Sequence, residues 1–302
     1  MDESDIIIGF RRVDALIKIY MLQGMHGLVY GMLVFLVASG FTLVFGMMNV
    51  LNIAHAAFYM LGAYLGYTIS NHLDNFWLSL LIGPLTVGTI GVIIERFFLR
   101  RAHKLGHLAE FLLTYGLFFI LCQLVIINWG SIPHPVPTPR LLAENISFFG
   151  ISYPLYRLFI IVFSFLVFLG MALILIRTRI GMIIRAAVSN PDMIGALGTN
   201  VQTLFMVVFG GGAALAGLAG VIAAPFLNAY PSMGLEMLMD CFVIVIIGGL
   251  GSLLGAFVAS LMIGELHSFG ILWIPRFAMV FQYLLMVIVL IVRPTGLFGE
   301  KE

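Results

Sequence analysis

Long apolar stretches are the feature that most constrains this chain. Candidate membrane spans of about 20 residues, the length that a bilayer core requires, lie at 28–46, 77–99, 109–128, 155–176, 204–225 and 277–292. Of the 302 residues, 62% are apolar and 10% are charged, against roughly 45–50% and 25% in soluble domains. A soluble fold could not bury that much apolar surface. We therefore predict an all-α, polytopic protein of the cell inner (plasma) membrane.

Two more apolar stretches, 49–70 and 238–268, contain residues that interrupt helices. Two asparagines lie in the first and a glycine cluster lies in the second, where each glycine costs about 1 kcal/mol of helix stability. Broken helices survive at membrane depth only where protein or a water-filled path satisfies the freed backbone groups. We therefore predict about eight transmembrane elements, two of them broken or re-entrant, in a two-repeat arrangement around a translocation path. The candidate path residues are Asn49, Asn52, His55, Tyr59, Asp240, Gly248, Gly249, Gly251 and Ser252.

Three ionisable side chains lie in or near the two interrupted stretches: His55, Asp240 and Glu265. Such groups are destabilising in lipid, and their presence indicates either a proton relay or a surface that meets water. Both interpretations remain open for all three. For His55 a third interpretation is open, in which its side chain forms a hydrogen bond with backbone that the first interruption frees.

Basic residues predict the topology of the chain. They form four clusters: Arg11, Arg12 and Lys18; Arg96, Arg100, Arg101 and Lys104; Arg177, Arg179 and Arg185; and Arg293 with Lys301. The positive-inside rule places all four in the cytoplasm. If 49–70 crossed as one simple helix, the second cluster would lie opposite the amino terminus, so we expect 49–70 and 238–268 to dip in and return or to break midway. The loops 129–153 and 226–236 then lie outside.

The chain is expected to form one transmembrane domain over 25–299, because no linker rich in Pro, Gly or Ser divides it. Residues 1–24 lack the charge pattern and cleavage site of a signal peptide. We expect them to form an amphipathic helix on the membrane surface, with a first full span as the alternative. Residues 300–302 form a short cytoplasmic tail.

Several kinds of chemistry have no motif in this sequence. It contains no phosphate-binding loop, no His-Glu-x-x-His, no cysteine pair at zinc spacing and no Gly-x-Ser-x-Gly turn, so we predict no catalytic residue, no metal site and no bound cofactor. Any ATP must be bound by a partner subunit. The formal net charge of +1, with no basic patch interleaved with aromatic residues, argues against nucleic acid as a partner.

The basic loop 177–203 contains signals for a short helix. Asn190 is a candidate N-cap, Pro191 suits the first turn, and Asp192 suits the positive end of the helix dipole. Gly198 is a candidate helix stop. A short capped helix on the cytoplasmic side is a suitable docking element for another protein.

Ordered motifs over most of the chain carry a family resemblance. They are Asn52-Ile53-Ala54-His55 with Phe58-Tyr59-Met60-Leu61-Gly62-Ala63-Tyr64; Glu95-Arg96; Thr114-x-Gly116; Gly181; Arg185-Ala186; Met193; Leu197-Gly198-x-Asn200-Val201; Leu215-Ala216-Gly217-x-Ala219-Gly220; Gly248-Gly249-Leu250-Gly251-Ser252; Gly255-Ala256; and Arg293-Pro294-Thr295-Gly296-Leu297-Phe298-Gly299. With these motifs in this order, the chain resembles the high-affinity branched-chain amino-acid permeases of ABC importers.

The resemblance implies a type II ABC importer-like permease domain with three kinds of partner besides membrane lipid. These are two cytoplasmic ATPase subunits that bind ATP, a second permease that is related but different, and an extracytoplasmic solute-binding protein. The segment 185–200 would be the coupling helix. Its candidate ATPase contacts are Arg185, Asn190, Asp192, Met193, Gly198 and Asn200.

Departures from the family pattern leave the transported solute open. Ala56 and Ala57 stand where the family generally has glycine and an acidic residue, and Asp240 stands where lysine or a neutral residue is more common. Urea, short amides and aromatic carboxylates are therefore alternatives to branched-chain or other amino acids. An ion-coupled secondary carrier of a small apolar or zwitterionic solute is the alternative from another class.

Overall fold

The computed structural model describes residues 3–148, 151–189, 191–196 and 198–299, and it is almost entirely helical over these residues. The helices are α1 (Glu3–Met48), α2 (Ala54–Leu73), α3 (Phe76–Ile94), α4 (Arg100–Ala102), α5 (His107–Trp129), α6 (Leu155–Arg177), α7 (Arg179–Ser189), α8 (Pro191–Ala196), α9 (Val201–Leu227), α10 (Met233–Gly248), α11 (Leu253–Trp273) and α12 (Ala278–Val292). A π-helical turn, Glu95–Leu99, joins α3 to α4, and strands β1 (Asn145–Phe148) and β2 (Ile151–Pro154) form one hairpin.

Seven helical segments in the described part of the chain are long and apolar enough to cross a membrane. They include all six spans expected from the sequence, and α11 is the seventh. The prediction of an all-α polytopic membrane protein is therefore confirmed. The two remaining long helices, α2 and α10, flank the positions at which we expected interruptions.

One end of the helix bundle gathers the described residues of three of the four basic clusters, those near the end of α3, the end of α6 and the end of α12. Arg100 of α4 donates to the Gln202 side chain at 3.2 Å, which brings α4 to the start of α9. The long helix α1 ends at Met48, and this residue lines a cavity together with Arg100 and Gln202. The carboxyl terminus of α12 reaches the same end, because Leu297 donates its backbone N–H to Ile247 at 2.8 Å. We call this end the basic face.

The opposite end holds the loops that were expected outside. His134 and Ala229 pair as an isolated β-bridge between the loops 130–144 and 228–232. The β-hairpin lies here as well, since the ring of Tyr153 stacks on His26 with centroids 5.8 Å apart. We call this end the hairpin face. The expectation that 129–153 and 226–236 share one side is consistent with these contacts.

The position of the amino terminus differs from the expectation. α1 is a continuous helix with no break at residue 24, and it runs antiparallel to α11, with Gln23 bonded to Ser268 and Gly46 against Gly251. The part of α1 that carries Arg11, Arg12 and Lys18 therefore lies toward the hairpin face. The placement of this cluster beside the other three was wrong.

The reason is that 49–70 does cross as a helix after its interruption. α2 starts near the end of α1 and reaches the hairpin face, where Asp74 pairs with Arg140. The charge rule is statistical and counts basic residues close to the ends of spans. Three clusters follow it, whereas Lys18 in the fourth is paired with Asp14 at 2.8 Å.

The two halves share an order of elements. In each, a helix runs to the basic face, the chain is interrupted, a second helix returns to the hairpin face, and a third runs back: α1, α2, α3 and α10, α11, α12. This common order supports the predicted two-repeat arrangement.

Glycines permit the closest helix approaches in the core. A Cβ on Gly62 of α2 would lie 2.2 Å from the carbonyl oxygen of Gly217 in α9, and one on Gly220 would lie 2.0 Å from the carbonyl oxygen of Tyr59. Small residues let membrane helices pack through van der Waals contact of their backbones. The α2–α9 pair is therefore fixed by its glycines, and it positions the buried side chains of α2.

Candidate functional site

The first interruption lies between α1 and α2. Asn49 adopts a left-handed conformation with φ 50° directly after the end of α1, and α2 begins at Ala54. Thr114 of α5 donates its hydroxyl to the carbonyl of Leu51 at 3.1 Å. The interruption therefore falls at the asparagine pair, and it is a turn at the basic face between α1 and α2, where protein satisfies part of its backbone.

The second interruption lies between α10 and α11. α10 ends at Gly248, and Gly249 and Gly251 have φ values of 97° and 78°, which are strained for any residue with a Cβ. Ser252 caps α11 by accepting the N–H of Gly255 at 3.0 Å. The glycine cluster therefore breaks the helix at the predicted place.

The carboxyl-terminal segment holds this second break in position. Leu297 and Phe298 donate their backbone N–H groups to the carbonyls of Ile247 and Gly248 at 2.8 and 3.0 Å. A Cβ on Gly249 would lie 2.4 Å from the nitrogen of Gly299. The last carbonyls of α10 are thus satisfied by a segment that sequence reasoning did not connect to the break.

Three candidate path residues on α2 and just before it are buried and only partly hydrogen bonded. Asn52, His55 and Tyr59 are each 1% exposed. His55 Nε2 lies 3.0 Å from the carbonyl of Val37, which is inside α1 and not at the interruption, so this bond differs from the expected bond to freed backbone. The His55 Nδ1, the Asn52 Oδ1 and the Tyr59 hydroxyl have no partner in the described part of the protein. Each unpaired buried polar atom costs about 1–3 kcal/mol. These atoms therefore mark a site where a polar partner is needed.

Asp240 is also buried, at 8% exposure, but it is fully engaged. Tyr30 of α1 donates its hydroxyl to Asp240 Oδ2 at 2.5 Å, and Gln282 of α12 donates its amide to Oδ1 at 3.1 Å. The ring of His267 in α11 stacks on Tyr30 with centroids 4.6 Å apart. Asp240 therefore connects α1, α10 and α12, with α11 packed behind Tyr30.

Tyr59 joins the two groups of polar residues. It lies close enough to Tyr230 and Asp240 for electrostatic interaction. Tyr230 belongs to the loop before α10 and donates its hydroxyl to Glu236 at 2.6 Å. Burial raises the pKa of Tyr230, and the Glu236 carboxylate raises it further. Tyrosine hydroxyls and carboxylates thus converge where α1, α2 and α10 meet.

The remaining candidate path residues lie apart from this polar cluster. Asn49 and Gly251 are exposed at the basic face, while Gly248 and Gly249 are buried against backbone. Tyr30, His267 and Gln282 were missed. Gln282 could have been noticed, since it is an amide within an apolar span, whereas Tyr30 carries no comparable signal in the sequence.

The coupling segment contains the short helix expected from its capping signals. α8 runs over Pro191–Ala196, and Gly198 ends it with φ 86°. Asn200 caps α9 by accepting the N–H of Thr203 at 3.1 Å. Arg185 on α7 and Met193 on α8 are exposed. Asn190 and the side chain of Asp192 lie outside the described residues.

Comparisons with known proteins identify the family of the chain. The family model described as the permease component of the branched-chain amino acid transport system matches residues 25–290. The chain is 29% identical over 299 residues to the high-affinity branched-chain amino acid transport system permease protein BraD of Pseudomonas aeruginosa, covering 94% of this chain and 97% of that protein. It is 28% identical over 304 residues to the LivH permease protein of Escherichia coli, with the same coverage.

A more distant relative extends the comparison. The chain is 26% identical over 290 residues to a probable branched-chain amino acid transport permease protein LivH of Methanocaldococcus jannaschii, covering 90% of both chains. No solved structure matches this chain significantly. Together with its multiple membrane-spanning helices, the match over residues 25–290 shows that this multi-pass inner-membrane protein belongs to the family of branched-chain amino acid transport system permease components.

Proposed function

We propose that this chain is the translocation subunit of an ATP-driven ABC importer for branched-chain or other amino acids or a related small solute. Two cytoplasmic ATPase subunits bind and hydrolyse the ATP, so the chain needs no cofactor of its own. A second, related permease completes the membrane part, and an extracytoplasmic binding protein delivers the solute. The names of the relatives support the solute class.

One observation carries the translocation role. The two interruptions meet at the basic face through Gly46 and Gly251, and next to the first one Asn52, His55 and Tyr59 hold buried polar atoms that have no partner among the described residues. Such atoms need a polar partner in the working protein, and a solute or water that passes between the helices would provide it. The path would follow these residues and Asp240 toward the second interruption at Gly248, Gly249, Gly251 and Ser252.

A continuous series of contacts supports coupling between α8 and the first interruption. α8 is followed by the capped start of α9, and there Val201 and Gln202 line a cavity of about 180 Å³ that Met48 also lines. The first interruption starts directly after Met48. Glu95 in the π-helical turn pairs with Arg100 at 3.5 Å across the same cavity. A displacement of α8 by the ATPase would therefore reach the interruption through α9, and closure of the ATPase dimer would open the path alternately to each side.

The test is uptake by proteoliposomes that contain the whole complex. Arg185→Glu and Asp192→Trp, both in the coupling segment, should abolish ATP-dependent uptake and solute-stimulated ATP hydrolysis while membrane insertion is retained. Arg179→Glu is a matched control, because Arg179 is an exposed arginine on the same helix as Arg185. Unchanged transport by both coupling variants would remove the coupling assignment.

The same preparation separates the ATP-driven importer from an ion-coupled carrier. Liposomes that contain this chain alone should show no uptake under a proton or sodium gradient. Uptake under either gradient, without ATPase subunits, would establish the carrier instead.

A further inference from the structure

Glu265 differs from the other acidic residues within the helix bundle. Asp240 accepts hydrogen bonds from Tyr30 and Gln282, Glu95 pairs with Arg100, and Glu110 pairs with histidines. Glu265 has no hydrogen bond or ion pair with any side chain or backbone group that the structure describes. Within the part of the bundle that the structure describes, the chain itself therefore leaves this carboxylate without a partner.

The position of Glu265 makes the lack of a partner for its carboxylate significant. α11 spans Leu253–Trp273, which puts Glu265 about 12 Å from the hairpin-face end and about 18 Å from the other end, at 1.5 Å per residue. A charged side chain at such a depth is destabilising in lipid and is found facing protein or water.

The nearest neighbours on α1 cannot provide a partner. A Cβ on Gly27 would lie 2.7 Å from the carboxylate oxygen Oε2, and one on Gly24 would lie 3.9 Å from it. Both positions are glycine, so α1 offers no side chain to the carboxylate there.

The carboxylate opens instead onto an apolar groove. A cavity of about 330 Å³ is lined by Met262, Glu265, Leu266, Phe269, Trp273 and Leu285. Phe269 and Trp273 contact each other with centroids 5.5 Å apart and form one wall. The lining of the groove is apolar except for the single carboxylate of Glu265.

A second copy of this chain would not fit the groove. In a symmetric dimer built on this groove the same patch faces itself, and the groove lining contains no cationic side chain that could pair with Glu265 of the other copy. Lipid headgroups are charged but lie at the membrane surface, away from this depth. Charge complementarity therefore requires a different protein chain with a cationic side chain inside the membrane.

We propose that the groove around Glu265 is the docking surface for a transmembrane helix of the second permease, which presents a lysine, arginine or histidine to Glu265. This inference rests on the proposed function, since it uses the second permease as the partner. It assigns α11 and α12, together with the glycine-bearing part of α1, to the contact between permeases.

Photo-crosslinking in the intact complex tests the contact while Glu265 is retained. A photoreactive amino acid at Met262, which is 37% exposed in the groove, should crosslink to the second permease. The matched control is Val162 on α6, which is 59% exposed and lies about 10 Å from the hairpin-face end of its helix. It should crosslink to lipid only.

Substitutions test the charge. Glu265→Arg should lower the yield of second permease that co-purifies with this chain by about tenfold or more, and Glu265→Gln should lower it less, because an amide still accepts a hydrogen bond. Size-exclusion chromatography of the fluorescently tagged chain checks that each variant folds. Yields that match the unsubstituted chain for a folded Glu265→Arg variant would overturn the proposal.

The outcomes separate this inference from the proposed function. If the ATPase and the second permease co-purify but position 262 crosslinks to lipid or to another copy of this chain, the docking surface is wrong and the importer assignment stands. If neither subunit co-purifies with the unsubstituted chain, the proposed function fails and the docking surface fails with it.

Discussion

Gly46, near the end of α1, lies directly against Gly251 in the second interruption. A Cβ on Gly46 would be 2.6 Å from the Gly251 Cα, and real Cβ atoms do not approach backbone so closely. Because α1 ends two residues after Gly46, this contact joins the start of the first interruption to the second. A change at one interruption therefore acts on the other through backbone contact alone.

We expect Gly46→Leu to separate these two backbones. Overpacking of this kind costs about 1–3 kcal/mol, and the obstacle is backbone rather than a flexible side chain, so the helices must shift. The variant should unfold at a lower temperature in detergent and should lose most of its transport in the reconstituted complex.

Gly211→Leu is the control for this substitution. Gly211 lies in α9, and a Cβ there would meet nothing within 4 Å, so this variant should keep both stability and transport. Equal behaviour of the two variants would show that the Gly46–Gly251 contact has no role.

The carboxyl-terminal segment gives a second prediction. A chain that stops after Thr295 loses the N–H donors of Leu297 and Phe298, which satisfy the carbonyls of Ile247 and Gly248. Each lost hydrogen bond costs about 0.5–1.5 kcal/mol, so the thermal unfolding midpoint should fall and transport should decrease. A chain that stops after Gly299 keeps both donors and should match the full chain. If both truncated chains are equally stable, the segment does not hold the second interruption.

Asp240 gives a third prediction. In Asp240→Leu, the buried donors of Tyr30 and Gln282 lose their acceptor, which should cost about 1–3 kcal/mol for each unsatisfied group. Asp240→Asn keeps one acceptor and should lose less. The thermal unfolding midpoints of the two variants, compared with that of a Tyr30→Phe variant, measure which substitution destabilises the protein more. An Asp240→Leu variant as stable as the unsubstituted chain would contradict the hydrogen-bonded role and favour a role in the path alone.

Local signals in the sequence were sufficient for the spans and the breaks. Glycines 249 and 251 adopt positive φ where the helix ends, and Pro191 starts the short helix that Gly198 ends. These features depend on neighbouring residues only. By contrast, the bond between Tyr30 and Asp240 joins residues 210 positions apart, and nothing in a single sequence indicates which apolar helices will pack together.

Topology was predicted less well, for a different physical reason. The positive-inside rule counts each basic cluster separately, and our prediction gave the cluster at Arg11, Arg12 and Lys18 the same weight as the other three. The direction of α1 is set instead by its packing along α11, from Gln23 at Ser268 to Gly46 at Gly251. Extensive antiparallel packing of two long helices decides the side on which a terminus lies.

The direction of α1 leads to a fourth prediction, on the side of the membrane at which each end of the chain is found. Single cysteines at Val13 and Pro137 should react with a membrane-impermeant maleimide from outside intact cells, in a chain whose Cys122 and Cys241 are replaced by alanine. Val13 is 55% exposed and lies on the part of α1 beyond His26, whose ring stacks on Tyr153 of the hairpin.

Cysteines at Lys104 and Met193 provide the opposite result in the same experiment. Lys104 lies beside Arg100 at the basic face, and Met193, which is 62% exposed, lies on the coupling helix, so both should react only after the cells are permeabilised. If Val13 is protected together with Lys104, α1 does not cross in the direction that its packing on α11 requires. The re-entrant arrangement would then be correct, since only a returning 49–70 segment keeps the first two basic clusters on one side.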